Sequence, residues 1–390
     1  MANLFSKEVG EDLLSRGFSR RQMIRIATLL GGASAVTALN PEMGWARGDS
    51  VDRKMVAIGS NTWGVGPMAA GVAAATANFT KCNSYSPGTA SADLIRTVSQ
   101  IEKIPEDHIT YWPGSTEGLN RILVAFCSPT RGFVQASPSF DNAKWSALFM
   151  KAPVKEVPLK ADYSHDVKAM LAADPNAGVY YINNPNNPTA TMTSMADIEW
   201  LVANKPAGSV VLLDEAYIHC SDDYPNNTGI HLVQQGRDVF ITRTFSKIFA
   251  MAGARLGLVL GRPDLLKKLV LYNNGGPNPV ASGPAIVCGT VSLMQADEIA
   301  KRRREMFEAR NVTFEFLRKR RAKVLPSQAN FFMLDWKDKS ARDMQLAFRA
   351  HGVQIGGPRW PVWPTVSRIS IGTKDDMHEF IEAFDKVMPA

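Results

Sequence analysis

The chain has 390 residues, 45% of them hydrophobic and 21% charged, enough length and apolar content for one large or two medium domains around a substantial core. Lys and Arg exceed Asp and Glu by 44 to 37, a mild excess that suits anionic small ligands and argues against a nucleic-acid partner, because the basic residues lack one-sided clustering. Four widely spaced cysteines and six histidines form no C-x-x-C or H-E-x-x-H pattern, so no metal site or redox motif is expected and the cysteines read as small buried hydrophobes.

The first element to interpret is residues 19–25, SRRQMIR. Arg20, Arg21 and Arg25 precede a 14-residue apolar run, Ile26 to Leu39, too short to span a bilayer and broken by Gly31, Gly32 and Ser34. Gly44-Trp45-Ala46 then supplies small residues at both positions a signal peptidase requires. Residues 1–46 therefore read as a twin-arginine signal peptide, which engages the export machinery transiently and sends an already folded protein to the periplasm without stable membrane anchoring. The alternative is a surface helix of a cytoplasmic protein.

Beyond the leader, short apolar runs alternate with helical patterns, the signature of an α/β fold with a mostly parallel sheet flanked by helices. HITYW (108–112), GFVQAS (132–137), GVYYIN (178–183), SVVLLD (209–214), DVFITR (238–243) and RLGLVL (255–260) read as strands. From about Ala285 a long helical stretch runs through Arg321, followed by ANFFMLDW, a helix near Ala341 to His351, SRISIG and a final helix from Asp375 to Val387. Lys301 to Arg304 lie in this pattern among glutamates, as on a solvated helix face. The expected division is an N-terminal arm (47–75) that joins a smaller α+β C-terminal domain (285–390), and a large ligand-binding domain (76–284) between them. GGPRWPVWPT (356–365) is a loop that could line a pocket.

Chemistry concentrates just past the strand ends, where open α/β sheets bind ligands. SVVLLD runs into EAY, which brings Asp214 and Tyr217 to the carboxyl edge, and the next strand runs into RTFSK, which brings Ser246 and Lys247 there, with Arg255 eight residues later. A lysine in such company invites Schiff-base chemistry. NNPNNPTA (183–190) follows another strand and by itself could be only a turn-rich loop. In this order, N-N-P-N-N-P, D-E-A-Y and S-K-x7-R resemble the fold-type I pyridoxal-phosphate enzymes of aminotransferase class I/II, above all the histidinol-phosphate aminotransferase branch, over roughly residues 55–388.

The resemblance implies pyridoxal 5'-phosphate as cofactor, small-molecule partners (an α-amino acid and a 2-oxo acid), and a role for each matching residue. Lys247 would hold the cofactor as an aldimine and shuttle the substrate's α-proton. Asp214 would keep the pyridine nitrogen protonated, while Tyr217 and Asn187 would bond the ring's 3-oxygen. Ser115 and Thr116, in PGSTEG at a helix start, would bind the phosphate together with Ser246 and Arg255, although Ser115-Thr116-Glu117 could equally be an N-cap. Tyr85 in CNSYSPG matches a family tyrosine that reaches the neighbouring subunit's phosphate, which implies a homodimer. Phe140 would stack on the ring. Arg368 would grip the substrate α-carboxylate, and Asn61 together with Asn187 would line the substrate site.

The chain departs from the family at the entrance, where Thr62, Trp63 and Gly64 replace Glu, Asn and Pro, and at Ala190, which replaces a glycine. Trp63, Trp360 and Trp363 suggest a more aromatic rim, and no second arginine stands out for a distal anion. Two rivals follow: elimination, cyclisation or oxidation by O₂ on the same cofactor, or a binding module without catalysis.

Overall fold

A computed structural model describes residues 7–31, 55–84, 88–271 and 281–389. Its elements run α1 (Lys7–Ser15), α2 (Arg20–Gly31), β1 (Val56–Ile58), α3 (Ala69–Asn78), α4 (Ala90–Glu102), β2 (Ile109–Trp112), α5 (Ser115–Phe126), β3 (Phe133–Ser137), α6 (Asn142–Phe149), β4 (Val154–Pro158), α7 (Val167–Ala173), β5 (Val179–Asn183), α8 (Met195–Asn204) and β6 (Val210–Asp214). They continue with α9 (Ile230–Gln234), β7 (Val239–Thr244), β8 (Gly257–Gly261), α10 (Pro263–Val270), α11 (Gly283–Leu293), α12 (Ala296–Lys319), β9 (Lys323–Val324), β10 (Phe331–Asp335), α13 (Ala341–Ala350), β11 (Val353–Ile355), β12 (Val366–Ser370) and α14 (Lys374–Val387).

Seven strands form the main sheet in the order β2-β8-β7-β6-β5-β3-β4. All pairings are parallel except those of β8, which runs antiparallel to β2 and β7. Every residue of β5, β6, β7 and β8 is buried, because helices cover both faces, and this is why these strands read as unbroken apolar runs in the sequence. The edge strand β4 was not expected: VKEVP is polar and mostly accessible, as suits a strand whose outer edge must not recruit another chain. Parallel order brings the ends of β5, β6 and β7 to one edge. The reversed β8 starts at that same edge, just after Arg255.

A second unit is built on the antiparallel sheet β12-β10-β9, and β1 pairs in parallel with β11, so residues 56–58 join the C-terminal part. The long helical stretch is two helices rather than one, α11 and α12. Residues 284–285 fall inside α11, which packs on α3 and α4. The α3 contact depends on Gly71, where a Cβ would sit 2.6 Å from Ser292 Oγ and 2.9 Å from the Cys288 carbonyl oxygen. Arg302 departs from the solvated face expected of it: it is buried and donates to the Ile248 carbonyl at 3.1 Å. Cys82 is exposed, whereas Cys127, Cys220 and Cys288 are buried.

Within the expected leader, residues 7–31 form two helices, and Leu13 and Ile26 are fully buried against the large domain. SRRQ itself is a capping box: the Ser19 N–H donates to Gln22 Oε1 at 2.7 Å and the Gln22 N–H to Ser19 Oγ at 3.4 Å. The expected cleavage position at Ala46 lies outside the described residues.

Candidate active site

Three neighbouring strands end around one carboxylate. Asp214 closes β6 and stands in register with Asn183 of β5 and Thr242 of β7. It is buried; Tyr181 donates its hydroxyl to Oδ2 at 2.8 Å and Thr242 donates to Oδ1 at 2.8 Å. Burial pushes its pKa up, while these two donors, the Ala216 N–H and the charge of Lys247 pull it back. Such a carboxylate, dry and aimed by two hydroxyls, is suited to pair with a cationic N–H.

The asparagine loop is buried because it satisfies its own backbone. Asn183 Oδ1 accepts from the Asn187 N–H at 2.8 Å, Asn184 exchanges bonds with Thr193, and Asn186 bonds Ser139 and Thr189. This fixes Asn187, whose Nδ2 donates to the Tyr217 hydroxyl at 3.4 Å; Asn61 Nδ2 donates to the same oxygen at 3.2 Å. With both lone pairs of that oxygen engaged, the Tyr217 O–H proton is the group left to donate outward. Lys247 Nζ donates to the Asn61 carbonyl at 3.3 Å and lies 5.1 Å from the Tyr217 ring centroid. Asn61, at φ 55°, receives a bond at its carbonyl from Asn330 at 3.0 Å and donates its N–H to Ser370 Oγ at 2.7 Å, so both units hold it.

Past β2, Gly114 caps α5 with φ 88°, and the helix opens at Ser115 and Thr116. A Cβ on Gly114 would lie 2.3 Å from an Arg255 guanidinium nitrogen, and one on Gly257 would lie 2.2 Å from the Ser115 nitrogen. Two glycines thus let a guanidinium close over a helix N-terminus, an arrangement that collects anions. Ser246 accepts from Thr244 Oγ1 at 2.9 Å on the adjoining loop.

On the C-terminal side Arg368 is buried. Nη1 donates to Asn187 Oδ1 at 2.8 Å, Nη2 to the Gly59 carbonyl at 3.3 Å, and Nε has no partner among the described residues. The guanidinium carbon sits 5.6 Å from the Phe331 ring centroid and 5.9 Å from that of Trp360. Burial, then the nearby charge of Arg359, pushes the Arg368 pKa down to about 10. Arg359 is exposed, and its charge is felt at Arg368. Arg359 is carried by the 356–365 loop. Of the tryptophans, Trp360 meets the site, Trp363 stands edge-on to Tyr163 at 6.0 Å, and Trp63 is core. Phe140 is half-buried at the same sheet edge. Tyr85 lies outside the described residues.

Sequence reasoning missed Tyr181, Thr242, Asn330 and Arg359. Tyr181 had a usable signal, since period two puts it on the face of Asn183; the other three depend on register or on the second unit folding over.

The family description "Aminotransferase class I and II" matches residues 54–384. The chain is 31% identical to the histidinol-phosphate aminotransferase of Symbiobacterium thermophilum, over 84% of this chain and 89% of that one. It is 30% identical to that of Bacillus subtilis, over 77% and 83%. Among solved structures, the histidinol-phosphate aminotransferase of Sinorhizobium meliloti in complex with pyridoxal-5'-phosphate superposes with a TM-score of 0.77 at 21% identity, over 91% of this chain and 94% of that one. The Clostridium acetobutylicum histidinol-phosphate aminotransferase gives 0.76 at 18%, over 85% and 98%.

Proposed function

The chain belongs to the class I and II aminotransferases, and from that premise we propose that it moves an amino group between an α-amino acid and a 2-oxo acid with Lys247 as the residue that carries pyridoxal phosphate. The observation that supports this reading is the pairing, on one sheet edge, of an anion cradle with a buried carboxylate. The missing Cβ atoms of Gly114 and Gly257 let the Arg255 guanidinium and the start of α5 come together, and Asp214 offers a dry acceptor. These residues fit a phosphate at one end and a pyridinium N–H at the other. When bound, the cofactor supplies an aldehyde carbon that takes up an amine and a cationic ring that accepts the electron pair left by the substrate's Cα–H bond.

The chain's own residues do the rest. Lys247 Nζ is the amine that would hold the aldehyde carbon, and the same amine would carry the proton from the substrate's Cα. The Asp214 carboxylate would hold the ring N–H proton in place, and the Tyr217 O–H would donate to the ring oxygen. Ser115, Thr116, Ser246 and Arg255 would bind the phosphate, and Phe140 would cover the ring. Arg368, steadied by Asn187, binds the substrate's anionic group, with Asn61 alongside. The curated relatives are named for histidinol phosphate; this chain's altered entrance and its Arg359 leave its own amino donor to be found by screening amino acids and their phosphate esters. Cofactor-loaded protein is expected to convert its bound cofactor on addition of a suitable donor and to recover it on addition of a 2-oxo acid. Turnover without an acceptor, with release of ammonia or peroxide, would overturn transamination.

Export and assembly complete the reading. SRRQMIR, the run Ile26 to Leu39 and Gly44-Trp45-Ala46 support passage of the folded enzyme to the periplasm by the twin-arginine route. If Arg20→Lys with Arg21→Lys leaves fractionation unchanged, that reading fails. The match of Tyr85 to the family's phosphate-reaching tyrosine supports a homodimer, for which a monomeric mass in solution would be the contrary result.

A further inference from the structure

The segment that carries the arginine pair is also built as part of the folded large domain. Gly17, at φ 85°, ends α1: its N–H bonds the Leu14 carbonyl at 3.0 Å and the Phe18 N–H bonds the Leu13 carbonyl at 3.0 Å. The Ser19–Gln22 capping box then starts α2, so the hairpin has a defined turn. Its apolar face supplies Val9, Leu13, Phe18 and Ile26, each at most 2% exposed, to the core cluster that contains Leu119, Ile122, Leu123 and Phe126 of α5. Arg16 fastens it: Nη2 donates to the carbonyls of Val124 at 2.6 Å and Cys127 at 2.7 Å, where α5 ends with unpaired acceptors and a negative dipole. Asp12 pairs with the same guanidinium at 3.3 Å, and the Phe18 ring centroid lies 5.4 Å from it. A leader with no role in the folded state has no reason to place an arginine on these two carbonyls.

The geometry points to an interaction surface on the large domain whose partner is the chain's own residues 7–31, acting as a latch on the export signal. Arg21 is exposed while docked, but Ile26, at the head of the apolar run that follows the arginines, is fully buried. A receptor that reads the basic segment together with the start of its apolar run competes with the domain for Ile26. Docking and recognition are then mutually exclusive, and export proceeds from the undocked fraction. This inference rests on the export reading above, and its test separates the two.

Amide exchange is measured on the full-length, pyridoxal-phosphate-loaded protein, and export on the same chain in cells. In the wild type, amides of α1 and α2 are expected to exchange at least 100-fold more slowly than an unstructured peptide. Arg16→Ala, and separately Leu13→Asp, should reduce that protection at least tenfold while β6 and β7 stay protected, and should shorten the half-time of export at least twofold. Unprotected α1 and α2 amides in the wild type would overturn docking. Loosened variants that export no faster, where Arg20→Lys with Arg21→Lys blocks export, would overturn the latch. Unaltered fractionation of the twin-lysine variant would remove the export reading and, with it, the latch as a control on export, while the exchange result still decides whether the hairpin docks.

Discussion

Asp214 is stripped of water and at the same time supplied with donors, and the balance between the two sets what it can hold. Tyr181→Phe removes one donor, raises the carboxyl's pKa further and weakens its grip on a cationic partner. A charge-assisted hydrogen bond contributes about 1.5–3 kcal/mol, so kcat should fall at least about tenfold. Asp214→Asn removes the charge itself and should cost about 10³ in kcat, as for loss of an aligned electrostatic partner. Steady-state kinetics of both variants check this, and a Tyr181→Phe enzyme indistinguishable from wild type would contradict it. Arg359→Ala should raise KM for an anionic donor about tenfold with kcat largely kept, because one charge-assisted contact is lost; an unaltered KM would exclude Arg359 from substrate binding. Lys247, Asp214, Tyr217 and Arg255 were legible in the sequence because each lies within a few residues of a strand end. Thr242, Asn330 and Arg359 were not, since one reaches the site through strand register and two through packing of the second unit.

At the scale of the element, the start of α5 is the most demanding construction. Gly114 must adopt φ 88° and also leave room for Arg255, whose guanidinium nitrogen would lie 2.3 Å from an added Cβ. Gly114→Ala therefore combines backbone strain of about 1–3 kcal/mol with displacement of the Arg255 guanidinium. Titration of the apoenzyme should show the cofactor Kd rising at least about tenfold, since 1.4 kcal/mol is one decade; equal affinity would contradict the cradle. The strands that build this edge were legible because burial on both faces makes them continuous apolar runs. The edge strand β4 was not, because its exposed Lys155 and Glu156 conceal it. The two helices α11 and α12 read as one, since no Gly or Pro marks the break at Met294-Gln295.

Across the whole molecule, burial of neutral imidazoles ties stability to pH. His165 is enclosed, its Nδ1 paired with Thr193 Oγ1 at 2.8 Å and its Nε2 without a partner among the described residues, and burial takes its pKa from 6.5 to about 3. His219 is pushed down for the same first reason. The unfolded chain binds a proton at His165 as pH falls through 6.5, while the folded chain refuses it until about 3. The stability this residue contributes is thus complete above the upper value and is lost progressively across that window. Melting curves between pH 7 and pH 4 should show a smaller loss for His165→Gln than for wild type, and equal losses would contradict the assignment.

The claim on which the mechanism depends is that one lysine carries the cofactor. Holoprotein reduced with borohydride and mapped by peptide mass spectrometry tests it most directly. The pyridoxyl group should appear on the peptide containing Lys247 and vanish in Lys247→Ala; a label on another lysine, or none, would contradict the account.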